Sequence, residues 1–185
     1  MTQPSVTQPS VREARLERLD AYDQIRQLAV RYAAAMRVRD GKALAELYVD
    51  DVRVGDGRTG REALREAYFG AELERLEISV LHPGTHVIDL DPERPDKARG
   101  SVYTVGQIKT RQPEGARWIR QAICYFDRYA KRDGQWLFIS RDHQLFFGVD
   151  HDQRPNHLPP ANWPASDTGT GTLPFAWPTW PDQQR

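Results

Sequence analysis

The spacing of apolar residues changes period near Leu76, and that change limits the folds open to this chain. Before it, Leu16, Leu19, Tyr22, Ile25, Ala29, Tyr32 and Met36 recur at three- and four-residue steps between charged residues. That spacing predicts a long amphipathic helix from about Val11 to Arg39. Asp40-Gly41 ends it, and Lys42 to Tyr48 resumes a short helical pattern. Asp50 to Val54 alternates for a short strand, and Gly60 to Leu76 reads as another helix with Ala63, Leu64, Ala67, Tyr68 and Leu73 on its apolar side. Beyond Leu76 the period is two. Glu77–His82, His86–Leu90, Ala98–Lys109, Trp118–Tyr129 and Trp136–Phe147 are rich in Val, Ile, Tyr, Phe and Trp, with turn signals at Pro92 to Lys97, Gln112 to Gly115 and Asp133-Gly134. Helices first and antiparallel strands second predict an α+β layer fold.

A chain of 185 residues fits one domain with a tail and can bury a core without staples. Residues 1–12 read as a disordered lead-in, because their Pro, Ser, Thr and Gln cannot bury enough apolar surface to offset ordering entropy. Residues 13–149 form the folded domain. Residues 150–185 carry Pro155, Pro159, Pro160, Pro164, Pro174, Pro178 and Pro181 interleaved with Trp163, Phe175, Trp177 and Trp180. So many rings predict a tail that packs on its own domain, on a partner subunit or over a pocket mouth. Lys+Arg and Asp+Glu are both 26, so no overall field draws in nucleic acid or an anionic membrane. No apolar window reaches the roughly 20 residues that span a bilayer. The lone Cys124 lies in a predicted strand, and the amino-terminal residues lack a basic start and an apolar run, so the expectation is a cytoplasmic protein with a buried, inert thiol.

The stretch His82–Asp91 brings two imidazoles into a strand, and histidine is the side chain that titrates nearest neutral pH. His82, at the bend before Pro83-Gly84, is the preferred general base; His86 more readily shapes the strand start. Alternation puts Arg141, His143 and Leu145 on one face of the last strand, so His143 is a candidate if Leu145 faces a cavity. Tyr125, Asp127 and Tyr129 likewise share a face, and Asp127 is a candidate carboxylate for fixing the tautomer of His82. His151 and His157 flank Asp152 at a spacing that matches no familiar ligand motif, so no metal is expected. Phosphate-loop, nucleophile-elbow and dinucleotide fingerprints are absent, and no cofactor is expected.

From about Asp20 to Val149 the chain resembles the SnoaL-like branch of the nuclear-transport-factor-2-like superfamily. The residues that carry the resemblance are Ile25–Tyr32 running to Asp40, Ala43–Val52, Gly60-Arg61-Glu62-Ala63-Leu64, the His82 stretch, Tyr125–Tyr129 and Asp133-Gly134-Gln135-Trp136. The resemblance implies a curved antiparallel sheet folded into a cone and closed by helices, the cystatin-like α+β barrel. It further implies a largely apolar internal cavity and a dimer packed through the sheet. The nearest mechanistic pattern is that of scytalone dehydratase and similar lyases, with a Tyr-Asp pair late in the first helix, a His opening the strand after the helices, and a second His or carboxylate deeper in the sheet. His82 falls on the first His. Met36-Arg37 falls on the Tyr-Asp pair, which puts a guanidinium where the family has a carboxylate, and Gln107 to Lys109 falls on the second-His region. Arg37 then becomes a candidate oxyanion clamp, and Tyr32, Tyr48, Tyr103 and Tyr125 become candidate cavity phenols that bind or polarise substrate oxygens.

The resemblance implies a cofactor-independent lyase that uses His-centred acid/base chemistry on a small aromatic or polycyclic molecule, losing water or a fragment such as formaldehyde. The partners implied are that hydrophobic substrate and a second copy of the chain, as a homo-oligomer. Two alternatives stand beside it: an isomerase or cyclase of the same fold, and a non-catalytic ligand-binding or assembly module.

Overall fold

The structure is a computed structural model that describes residues 10–55, 57–111, 115 and 117–151. Residues 1–9 of the lead-in expected at 1–12 and residues 152–185 of the tail expected at 150–185, with Asp152 and His157, lie outside the described residues, whereas Val11 and Arg12 are already helical and Asp150 ends the last strand. Helix α1 spans Val11–Val38. A capping box starts it, with the Ser10 hydroxyl accepting from the Glu13 amide at 3.3 Å and the Glu13 carboxylate accepting from the Ser10 amide at 2.7 Å. Arg39 ends it in the left-handed region (φ 60°), its amide turned back onto Ala35 and Met36. Helix α2 covers Gly41–Glu46, capped by the Asp40 carboxylate.

The expected strand at 50–54 is a single bridge, Arg53 to Thr59. The next helix is three pieces: α3 (Arg61–Leu64), a π-helical stretch (Arg65–Gly70) and α4 (Ala71–Arg75). The wider turn lengthens the apolar step, so Leu64, Phe69 and Leu73 are buried while Tyr68, expected in the core, is 48% exposed.

Four long strands follow in the order β1 (Leu76–Leu90), β2 (Lys97–Thr110), β3 (Arg117–Arg132) and β4 (Gln135–Asp150), all antiparallel neighbours in one curved sheet. The two runs around His82 and His86 are one strand with an irregularity between Pro83 and His86. Asp133 and Gly134, both at positive φ, make the tight β3–β4 turn that the sequence signals. After α2, Leu47 and Val49 exchange 2.9 Å backbone hydrogen bonds with Phe138 of β4, which pins Tyr48 against the sheet. The core lies where α1 crosses the concave face, around Ile25, Leu44, Val102, Tyr129 and Phe138. Among the described residues no helix is long and apolar enough to cross a membrane.

Candidate functional site

Register decides which side chains enter the cone. Val102 and Thr104 of β2 are buried, whereas Tyr103 and Val105 are exposed. Residues directly opposite one another across a ladder share a face. Pro83 opposite Thr104, His86 opposite Val102, Tyr125 opposite Val102 and His143, and Asp127 opposite Gly100 and Arg141 therefore face the cone. His82, opposite Val105, faces the other way.

The cone is organised around an ion pair. Arg141 donates from Nε to Asp127 Oδ1 at 2.9 Å and from Nη2 to Oδ2 at 2.8 Å, and the two side chains are 3% and 0% exposed. The guanidinium carbon stands 4.4 Å from the ring centroids of Tyr32, Tyr125 and Phe138, a three-sided cation–π box. Burial works against the charge of Arg141, and the hydrogen bonds and charge of Asp127 outweigh it, so its affinity for the proton rises. The Tyr129 hydroxyl donates to Asp127 Oδ2 at 2.8 Å and lies 3.0 Å from His86 Nε2.

Phenols surround this pair. Burial raises Tyr32, Tyr48 and Tyr129 well above the ordinary tyrosine value and pushes Tyr125 up to about 12, so all four stay protonated and able to donate near neutral pH. Tyr48 packs on Phe138 with ring centroids 5.2 Å apart, and Tyr32 on Tyr125 at 5.8 Å. His143 is the exposed cone-face histidine, tilted on Tyr125 at 5.4 Å. Desolvation lowers its pKa, which keeps it neutral and able to accept a proton at pH 7. Glu72 of α4 is exposed at its edge yet desolvated enough to raise its carboxyl, and its charge acts on Tyr32, Tyr48 and Tyr125.

The resemblance implied a largely apolar cavity; among the described residues the space beside Arg141 is narrow. A space of about 160 Å³, too narrow to seat a water, remains between Ala29, Tyr32, Leu81, Thr104, Tyr125 and Arg141. The Thr104 hydroxyl there is buried without a hydrogen-bond partner among the described residues.

The structure thus gathers Tyr32, Tyr48, Tyr125, Asp127 and His143 of the sequence candidates. It does not gather His82, Tyr103 or Arg37. Asp127 does not orient His82, because its oxygens are taken by Arg141 and Tyr129. Tyr103, expected in the cavity, stacks on Phe146 on the outer face at 6.0 Å and 16° and is 49% exposed. Arg37 is exposed on the last turn of α1, and the buried guanidinium at that end is Arg39, which donates to the Leu73 carbonyl. Cys124 is buried, and desolvation raises its thiol. Sequence reasoning named Arg141 only as a neighbour of His143 and gave it no role. The signal was available: Arg141 and Asp127 lie on the faces already assigned to His143 and Tyr125. Among the described residues no group of three His, Cys, Asp or Glu side chains is placed to hold a metal.

The SnoaL-like domain family matches residues 17–142. Three solved structures show the same architecture. A type 2 hexachlorocyclohexane dehydrochlorinase, LinA, is 20% identical with a TM-score of 0.61, over 76% of this chain and 97% of that one. A scytalone dehydratase-like protein from Novosphingobium aromaticivorans is 22% identical with a TM-score of 0.58, over 75% and 92%. A protein of unknown function from Mycobacterium tuberculosis is 26% identical with a TM-score of 0.55, over 70% and 73%. No curated protein matches the sequence.

Proposed function

The chain belongs to the SnoaL-like family, and from that premise we propose that it is a cofactor-independent lyase, working at the cone mouth on a small aromatic or polycyclic substrate. The observation that carries this reading is the placement of Arg141. Asp127 uses its Nε and Nη2, which leaves the Nη1 amino group as a fixed donor among protonated phenols and the exposed cone-face histidine, His143. Such a set suits elimination. His143 takes a proton from carbon, the electron pair becomes the new double bond, and the carbon–oxygen bond breaks. The space beside Arg141 is too narrow for a water, so the rings at the mouth part as substrate enters; the departing oxygen then takes hydrogen bonds from Arg141 and from Tyr32 or Tyr125, and a phenol or water returns the proton. Loss of water fits this scheme. For loss of formaldehyde His143 instead takes the proton of a CH2–OH group, the carbon–carbon bond breaks as that oxygen becomes the carbonyl, and the carbon left with the electron pair takes up a proton from a phenol or water. Leu145, 48% exposed two residues past His143, supplies an apolar rim for an aromatic ring.

The test is turnover of a panel of aromatic β-hydroxy ketones and benzylic alcohols by the parent, His143→Ala and His82→Ala proteins. The reading expects loss in His143→Ala and near-parent rates in His82→Ala; the reverse pattern returns the base role to His82.

A second reading, a non-catalytic binding or assembly module, is favoured by the narrowness of the space beside Arg141. No turnover of any panel member by the parent supports it. In either reading we infer that the chain is a homo-oligomer through the outer sheet face, where Tyr103, Val105, Phe126 and Phe146 are exposed together.

A further inference from the structure

Asp127 and Arg141 form a closed pair, but their bonding does not end with them. The Tyr129 hydroxyl has one proton, and that proton goes to Asp127 Oδ2 at 2.8 Å. The phenol oxygen must then accept from His86, whose Nε2 stands 3.0 Å away. Nε2 therefore carries a hydrogen, and because burial lowers the pKa of His86 to about 4 the imidazole is neutral near pH 7, with Nδ1 unprotonated. The result is a directed chain from β1 across β3 to β4: His86 Nε2–H to Tyr129, Tyr129 O–H to Asp127, and Asp127 accepting from Arg141.

Gly100 of β2 makes room for the chain. A Cβ there would lie 2.5 Å from the Val87 carbonyl oxygen and 3.3 and 3.4 Å from the ring and hydroxyl of Tyr129. The missing side chain leaves room for the Val87 carbonyl and for the phenol, and a Cβ would have to displace the first and crowd the second. His86 itself is half-buried, and the charged groups that act on it are Asp127, Arg141 and, from α1, Arg26.

We propose that His86 is a positioning residue, not a catalytic one, which sets the orientation of Arg141 through Tyr129 and Asp127. Donation from His86 polarises the Tyr129 O–H and strengthens its bond to the carboxylate, since linked hydrogen bonds reinforce one another. Asp127 Oδ2 is then held from two sides and the guanidinium is left a single geometry. The proposal rests on the reading of Arg141 as the oxyanion donor for its catalytic consequence, but the chain itself can be measured without any substrate.

The experiment follows the Arg141 Nε–H resonance by proton–nitrogen NMR, assigned by its loss in Arg141→Lys. Its solvent exchange is measured in the full-length parent, His86→Leu, His86→Gln and Tyr129→Phe proteins. Exchange on the order of tenfold faster is expected in His86→Leu and in Tyr129→Phe, with return towards the parent rate in His86→Gln, whose amide can replace the Nε2 donor. If His86→Leu fails to fold, Tyr129→Phe and His86→Gln decide the matter alone. Parent-like exchange in both Tyr129→Phe and any folded His86→Leu overturns the proposal. So does a His86→Gln protein that exchanges as fast as Tyr129→Phe, because packing rather than the donor would then be responsible. Where a panel substrate is turned over, kcat is expected to fall in His86→Leu with KM nearly steady, and to recover in His86→Gln. Accelerated exchange beside a parent that turns over no alcohol leaves the positioning chain standing and sinks the lyase reading.

Discussion

The two faces of this sheet are made by alternate residues of the same strands, yet they carry different chemistry. On the cone face, Asp127, Tyr129 and Arg141 are sealed among rings and bonded to one another. On the outer face, Tyr103 and Phe126 are 49% and 44% exposed, and His82 is exposed beside them. A one-residue difference in phase separates a residue that can share a site with Arg141 from one that cannot. In this chain that difference divides His86 and His143 from His82.

The largest test of the contrast removes the cone-face charge. Asp127→Ala leaves Arg141 buried without its carboxylate and should cost about 3–5 kcal/mol in urea unfolding. A loss no greater than that of an outer-face substitution would mean that water reaches the pair and the cone is not sealed. Gly100→Ala should cost about 1–3 kcal/mol by forcing Tyr129 and the β1 backbone apart. An unchanged melting temperature would put the phenol elsewhere.

A smaller effect is expected from pH, because His86 is only half-buried. Burial lowers its pKa from 6.5 to about 4, with Arg141 and Arg26 adding to the shift and Asp127 opposing it. The unfolded chain therefore binds a proton that the folded chain refuses. This contribution to stability is complete above about 6.5, declines as pH falls towards 4, and reaches its lower plateau below that. The stability of His86→Gln should fall less steeply than the parent's across this window; parallel curves would show that His86 is not held neutral. The smallest effect belongs to the outer face. Phe146→Ser should change unfolding of the single chain by about 0.5 kcal/mol or less, while sedimentation velocity should show weaker association. Unaltered association would remove this face as the contact between copies.

The architecture was legible in the sequence because it depends on periodicity. The long first helix, the α+β order and the Asp133-Gly134 turn all follow from patterns within a few residues of one another. Tyr68 was misplaced because a π-helical turn changes the phase of a helix without changing its composition. His82 and Tyr103 were misplaced for a different reason. A strand pattern says which residues share a face, but not which face the helices cover, and β1 also carries an irregularity between Pro83 and His86. The pairing of Asp127 with Arg141 spans a turn and 14 residues, and only register brings the two together.

The central claim is that the reacting group of this protein stands on the cone face beside Arg141. It is tested most directly by kcat/KM on the aromatic alcohol panel for the parent, Arg141→Lys and His82→Ala proteins. Lysine keeps the charge but cannot hold Asp127 with a fork and still offer a planar donor. The account predicts a loss on the order of 10²-fold or more in Arg141→Lys, with His82→Ala remaining within about threefold of the parent. A crippled His82→Ala beside a working Arg141→Lys would contradict it.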